Sequence, residues 1–491
     1  MVAVQPARHR LPRHRPVGLL AATAVLGGWI LATPAPAWAL TPPAIDDAAL
    51  GPAQAVAAAG GPPDATEQRA LCVEPFLSAG PPVDAPLPQR ILDLPAAWRF
   101  SRGAGQLVAV IDTGVNRHPR LDVRPGGDFV RAGGDGTEDC DGHGTLVAGL
   151  IAGRPSPDDG FAGVAPDAQI LAIRQLSLQY EDKNSRGGDE PGKVASGGYG
   201  NVLTMAAAVV RAVDQGATVI NISEVSCSSP GADSADGALG AAVKYAADRN
   251  VVVVAAAGNL DRSVCSAQND RSGWDSVQTV VSPAWFAPYV LSVASTDPDG
   301  SVSPFSIHGP WVGIAAPGRG IVSLDSKPGG VGLVDAQHGA EGAVTVDGTS
   351  FSAAYVSGLA ALVRARFPEL TAAQVIDRIQ RTAHNPGTGR DDRVGHGLID
   401  PVAALTAHLP ELGVDAATPS AFPAPTPDPG PDPLPRKVAA IGSLTLLAAL
   451  AIGYVASIPF RRKDTGTLDP ANDPALDPAR AGANTALPEG R

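Results

Sequence analysis

The chain has 491 residues, 44% of them hydrophobic and 18% charged, ordinary proportions for a globular protein with a large core. Its formal net charge of -12 argues against nucleic acid as a partner, because phosphate binding needs basic patches.

At the N-terminus Arg8, Arg10, Arg13 and Arg15 precede an apolar run over 17–31 and the tripeptide Ala37-Trp38-Ala39. A basic region, an apolar region and a small-x-small site in that order form the pattern of a secretory signal peptide, here residues 1–39. No Arg-Arg pair stands in it, which favours the general export route, and an uncleaved anchor is the alternative. Residues 40–89 are rich in Ala, Pro and Gly with no sustained period of 2 or 3.6, and read as an extended arm and not an independent domain.

From 90 to 409 apolar strands alternate with helices. Strands are expected over 107–111, 170–174, 219–223, 251–256, 290–294 and 312–316. Helices are expected over 143–153, 202–215, 238–249, 351–366 and 372–382. Asn201 and Asp236 stand as N-caps, Gly216 and Asn250 as C-terminal stops, and Thr371 with Gln374 as a capping box. This alternation predicts an α/β fold of three layers around a mostly parallel buried sheet, with ligands at the strands' carboxyl ends. A long Gly-rich polar loop over 177–200 interrupts it.

Residues 410–437 are Pro-rich and read as a semi-rigid linker. Residues 438–458 carry no charge, and about 21 residues of helix reach ~31 Å, enough for a bilayer core of ~30 Å. This predicts a single C-terminal transmembrane helix, and the signal peptide then puts the bulk of the chain outside and the tail, 459–491, in the cytoplasm.

Chemistry gathers at three element ends. The strand over 107–111 runs into Asp112-Thr113-Gly114. Asp141-Gly142-His143-Gly144-Thr145 opens an apolar helix. Asp347-Gly348-Thr349 delivers Ser350 to the start of another. Gly-Thr-Ser before a helix is by itself more often an N-cap, and His143 by itself a core histidine. Together, in the order Asp-His-Ser, they fit nucleophilic catalysis: the His takes the Ser proton, and the Asp fixes its tautomer and stabilises the imidazolium. Asn259, just past the strand over 251–256, supplies an amide for the oxyanion, a contribution of about 3–4 kcal/mol. Asp-Thr-Gly also occurs in aspartic proteases, but its second copy, at Asp464, falls beyond the expected membrane span. None of the 9 histidines shows zinc-ligand spacing and no compact acidic loop suggests calcium, so no metal or cofactor is expected.

These segments resemble the subtilisin-like serine proteases, or subtilases, from about Leu94 to Leu405. The resemblance rests on V-A-V-I-D-T-G-V around Asp112, D-G-H-G-T-L-V-A-G around His143 and V-V-V-V-A-A-A-G-N ending at Asn259. It continues in P-W-V-G-I-A-A-P-G, in D-G-T-S-F-S-A-A-Y-V-S-G around Ser350, and in G-H-G-L-I-D-P. One departure is Ala354, where the family usually has Pro. Within the subtilases the layout is similar to the mycosins, membrane-anchored proteases of type VII secretion systems: signal peptide, cysteine-bearing arm, E-D-C-D-G-H-G-T, N-I-S-E-V-S-C, Pro-rich stalk and C-terminal span. The resemblance implies a subtilisin-like fold, exported protein substrates and a secretion membrane complex as partner. It also implies a peptide cleft lined by Ser223, Glu224 and Val225, faced by Ala256, Ala257 and Gly258. Glu224 either favours basic substrate groups or points to solvent. A structural subunit with dispensable proteolysis, or a leader-peptide-processing subtilase, is the rival reading.

Four cysteines in an exported chain imply two disulfides with three connectivities open. Position favours Cys72–Cys140, which would fasten the arm beside the His143 helix, and Cys227–Cys265, which follow two strands joined by one crossover helix. The arm has too little pattern for a folded inhibitory propeptide and is expected to be a permanent wrap.

Overall fold

The computed structural model describes residues 41–409, apart from 79, 81, 185–197, 232–235, 262–264 and 340–341, together with 434–457. The expected signal peptide, most of the linker, the tail and the middle of the Gly-rich loop lie outside the described residues. The chain divides into two units, Met1–Leu409 and Pro410–Arg491.

In the first unit seven strands form one sheet in which every neighbouring pair is parallel. They are β1 (Leu107–Asp112), β2 (Val123–Asp128), β3 (Gln169–Arg174), β4 (Val219–Ile222), β5 (Val252–Ala256), β6 (Leu291–Thr296) and β7 (Val312–Pro317). Across the sheet the order is β7-β6-β5-β4-β1-β3-β2. The chain begins inside the sheet at β1, runs to one edge through β2 and β3, then crosses to the other side of β1 with β4. Such a reversal opens a crevice at the carboxyl ends of β1 and β4.

The strands read as unbroken apolar runs because both faces are covered. Side chains of period 2 then serve two cores: Val108, Val110, Ile170 and Ala172 on one face, Ala109, Ile111, Leu171 and Ile173 on the other. The helices are α1 (His143–Ala152), α2 (Val202–Asp214), α3 (Gly237–Asp248), α4 (Thr349–Arg366) and α5 (Ala372–Arg381). Residues of α1, α4 and α5 share the first core, and those of α2 and α3 the second. Every residue of α4 from Thr349 to Val363 is buried, as expected for a helix of small and apolar residues on all sides. In α5 only Ala372, Val375 and Ile379 are buried, one stripe of an amphipathic helix.

The punctuation works as the residues suggest in most places. Asn201 accepts from the Leu203 and Thr204 N–H groups, Thr371 and Gln374 form their capping box, and Gly216 and Asn250 take the left-handed conformation after α2 and α3. Asp236 does not cap α3; its carboxylate instead accepts from the Ser282 hydroxyl and from Trp285 Nε1. The strand β2 carries no strand pattern in its sequence, Val-Arg-Pro-Gly-Gly-Asp, and it is tolerated because it lies at the edge of the sheet.

The stretch before residue 90 is more structured than an extended arm. A helix over Gly51–Ala59 buries Ala53 and Ala57 against α2 and α3. Thr66–Gln68 pairs antiparallel with Tyr180–Asp182, and Phe76–Leu77 with the hairpin strand Leu333–Gly339. Disulfides join Cys72 to Cys140 and Cys227 to Cys265. A short helix over Leu87–Ile91 carries the arm without a break into the α/β body.

The described part of the second unit is one helix, Leu434–Ser457, whose segment Val438–Ala456 has a mean hydropathy of 2.1 and is long and apolar enough to cross a membrane. It starts earlier than the charge-free run, with Pro435 in its first turn, where the missing N–H costs nothing.

Candidate active site

The carboxyl end of β1 delivers Asp112 into the crevice, fully buried. Its Oδ1 accepts from the Thr113 N–H at 2.8 Å and lies 2.7 Å from His143 Nδ1. His143 is the first residue of α1, and the Gly144 N–H of the same turn donates to Thr113 Oγ1 at 2.9 Å. A Cβ on Gly144 would fall 2.1 Å from the Gly114 carbonyl oxygen and 3.0 Å from Asp112 Cβ, so only glycine lets the helix start this close to the strand end. On the other side of the ring, His143 Nε2 is 3.0 Å from Ser350 Oγ, in the first turn of α4. The Phe351 ring flanks the imidazole, with centroids 5.2 Å apart. The structure therefore brings Asp112, His143 and Ser350 into one continuous contact chain.

Asn259 follows β5. Its Oδ1 accepts from both the N–H and the hydroxyl of Thr349, each at 3.0 Å, which fixes the amide. A Cβ on Gly348 would lie 3.0 Å from Ser350 Oγ and 3.4 Å from Asn259 Nδ2, so a glycine keeps the space beside nucleophile and amide open.

The two expected cleft segments also meet. Ser223 accepts from Asn221 Nδ2 at 2.7 Å, and Val225 Cγ2 comes within 3.6 Å of the position a Gly258 Cβ would take. The side chains of Ala256 and Ala257 are buried in the two cores, so whatever these residues offer a ligand is main chain. The Glu224 side chain, 24% exposed, makes a contact that the sequence did not suggest. Its Oε1 lies 3.7 Å from His143 Nδ1, aimed at the ring.

The electrostatics of the site follow from burial among acids. Burial works against the charged form of His143, but Asp112, through charge and hydrogen bond, and then Glu224 and Asp139 outweigh it and raise the ring's pKa. Burial raises the pKa of Glu224; His143 opposes the rise, while Asp112 and Asp141 add to it.

Two residues that sequence reasoning missed hold the loops in place. The buried Asp139 accepts from Thr113 Oγ1, from the Gly142 and Thr145 N–H groups at 2.7 and 2.8 Å, and from Thr145 Oγ1 at 2.6 Å. It thereby ties the loop after β1 to the start of α1. Asp141 accepts from Ser177 Oγ at 2.5 Å and from the Leu178 N–H at 2.8 Å, tethering the segment after β3. The available signal was the acidic pair around Cys140 just before a helix, together with the Thr of Asp-Thr-Gly and of His-Gly-Thr.

Comparison with known proteins identifies the family. The profile of the subtilase family matches residues 103–397. Mycosin-1 of Mycolicibacterium smegmatis is 45% identical over 446 residues, covering 87% of this chain and 96% of that protein. The crystal structure of MycP1 from Mycobacterium smegmatis superposes with a TM-score of 0.70 at 45% identity, covering 76% of this chain and 96% of that one. A chain in the structure of an intact ESX-5 inner membrane complex gives a TM-score of 0.69 at 42% identity, covering 85% of this chain and 100% of that one. With the family profile matching 103–397 and relatives 45% identical over most of both chains, the chain belongs to the subtilase family of serine endopeptidases and, within it, to the mycosins.

Proposed function

We propose that this protein is a membrane-anchored endopeptidase that works outside the cytoplasm on proteins exported by a type VII secretion system, cleaving them by acyl transfer through Ser350. The contact chain Asp112–His143–Ser350, at 2.7 and 3.0 Å, is the observation that carries the reading. Neutral His143 takes the Ser350 proton at Nε2 as Oγ attacks the scissile carbonyl. Asp112 holds the ring through Nδ1 and stabilises the imidazolium. The Asn259 amide and the Ser350 N–H receive the oxyanion, the latter at the positive end of α4. The imidazolium then protonates the leaving amine, and water, activated by the same ring, releases the acyl group. Ser223, Glu224 and Val225 line one side of the peptide cleft, with the main chain of Ala256, Ala257 and Gly258 on the other.

The type VII assignment is supported by the mycosin relatives, one of which was seen within an ESX-5 inner membrane complex. Anchoring is supported by the apolar helix Val438–Ala456, and the signal-peptide pattern supports a catalytic unit outside with the tail in the cytoplasm. A deletion strain complemented with the wild-type chain is compared with one complemented with Ser350→Ala, by sequencing the N-termini of all exported proteins and quantifying them. Particular processed termini are expected to vanish in the variant while export continues. Unchanged termini in the variant, with export lost only in the full deletion, would make the chain a structural subunit of the secretion complex instead.

A further inference from the structure

We infer that Glu224 is a positioning residue for the reaction, a second carboxylate that stabilises the His143 imidazolium from beside Asp112; this rests on the acyl-transfer reading of Ser350. Three observations place it there. The strands β4 and β1 are neighbours, with Ile222 in register with Ile111, so the residues just past their ends emerge side by side. Asp112 is the last residue of β1 and Glu224 lies two residues beyond the end of β4. One carboxylate oxygen from each, and a ring nitrogen of His143, all lie within 4.8 Å of one another.

The division of labour follows from distance. Asp112 Oδ1 is at hydrogen-bonding distance from Nδ1, whereas Glu224 Oε1, at 3.7 Å, is too far for that bond but close enough for charge. Asp112 therefore fixes the tautomer and Glu224 adds field. The other Asp112 oxygen, Oδ2, is buried and accepts no hydrogen bond from the described residues. The titratable groups acting on this pair are all acidic: Asp112 at the end of β1, and Asp139 and Asp141 in the loop before α1. Among the described residues, the ion-pair contact of Glu224 within 4.0 Å is His143. With side chains 24% and 26% exposed, water screens the pair in part, which keeps the effect moderate.

The consequence is specific to charge. When the resting ring is already protonated, at low pH, resting and transition states both carry the imidazolium, and a neighbouring charge acts on both alike. When the resting ring is neutral, only the transition state carries it, and the charge accelerates the step. Removing the charge must therefore lower the high-pH plateau and move the acid limb to lower pH by matching amounts, because one interaction energy sets both.

The test uses the full-length protein and an alkyl fluorophosphonate, which needs no knowledge of the natural substrate. Ser350 Oγ attacks phosphorus, fluoride leaves, and the Oγ proton passes to His143 Nε2. The second-order inactivation constant is measured across pH for wild type, Glu224→Gln and Glu224→Asp. We expect Glu224→Gln to lower the plateau about tenfold and to move the midpoint of the acid limb down by about one pH unit, with the two profiles converging below the limb. Glu224→Asp returns part of both changes. A Glu224→Gln profile lowered by one factor at every pH, with its midpoint unmoved, would reduce Glu224 to packing and overturn the inference, as would an unchanged profile. A wild-type protein that does not react at all would instead overturn the Ser350 reading, and this inference with it.

Discussion

Asp139 receives hydrogen bonds from Thr113, Gly142 and Thr145 in a space closed to solvent, and so joins the two loops that carry Asp112 and His143. Asparagine has nearly the same shape but replaces one acceptor oxygen with a donor, which would confront the N–H and hydroxyl of Thr145 or the Gly142 N–H. Asp139→Asn is therefore expected to destabilise the fold by about 2–4 kcal/mol, read as a lowered midpoint of denaturant unfolding, and to slow the reaction at Ser350 because the ring loses its fixed approach. An unchanged midpoint would show that the loops are held by other contacts. At this scale the sequence was informative where residue type and neighbours repeat a known chemical role. Asp112, His143, Asn259 and Ser350 could each be picked out from a strand end or a helix start, and the structure brings them together. Asp139 could not, because its importance lies in how many donors converge on it across a fold that is not local. The family resemblance assigns Glu224 to the cleft, but the direction of its side chain depends on the pairing of β4 with β1, which no local pattern encodes.

Among the elements, the arm is where sequence and structure differ most. Its helix over Gly51–Ala59 is marked by Pro52 at one end and by Gly60 in the left-handed conformation at the other. The periodic stripe is hidden, because Ala53 and Ala57 bury themselves within a run in which neighbouring exposed positions are also Ala. The two short strands of the arm gain their definition from partners more than a hundred residues away and have no period of their own. The strand β2 was missed for the related reason that an edge position asks little of its residues. Conversely, α4 runs unbroken through Ala354, where a proline would remove an intrahelical N–H. The disulfide Cys72–Cys140 closes a sequence separation of 68 residues and fastens the arm next to α1. Replacing both cysteines with serine is expected to cost about 2–4 kcal/mol of stability and to expose the arm to proteolysis before the α/β body unfolds. If thermal unfolding and the order of cleavage are the same in the double variant, the helix and strand pairings alone hold the arm.

At the scale of the whole molecule, the order of the sheet explains why one crevice carries the chemistry. The reversal between β1 and β4 puts Asp112 and the segment from Ser223 to Val225 at adjacent strand ends, with Asn259 after β5 on the same edge. The helices α1 and α4 pack on one face of that sheet and bring His143 and Ser350 in from above it. This architecture was legible from the sequence because six of the seven strands are continuous apolar runs separated by well-punctuated helices. The accessory hairpin over Leu333–Gly339 and Gly342–Thr345 was not, being mostly exposed and stabilised by the arm strand beside it. The central claim, that this whole arrangement serves one nucleophile, is tested most directly by covalent labelling. The full-length protein is treated with the fluorophosphonate and digested, and the adduct is mapped by mass spectrometry. The account predicts a single phosphonylated site at Ser350, absent in Ser350→Ala and formed at least about a thousandfold more slowly in His143→Ala. Labelling at another residue, or at Ser350 with the same rate when His143 is removed, would contradict it.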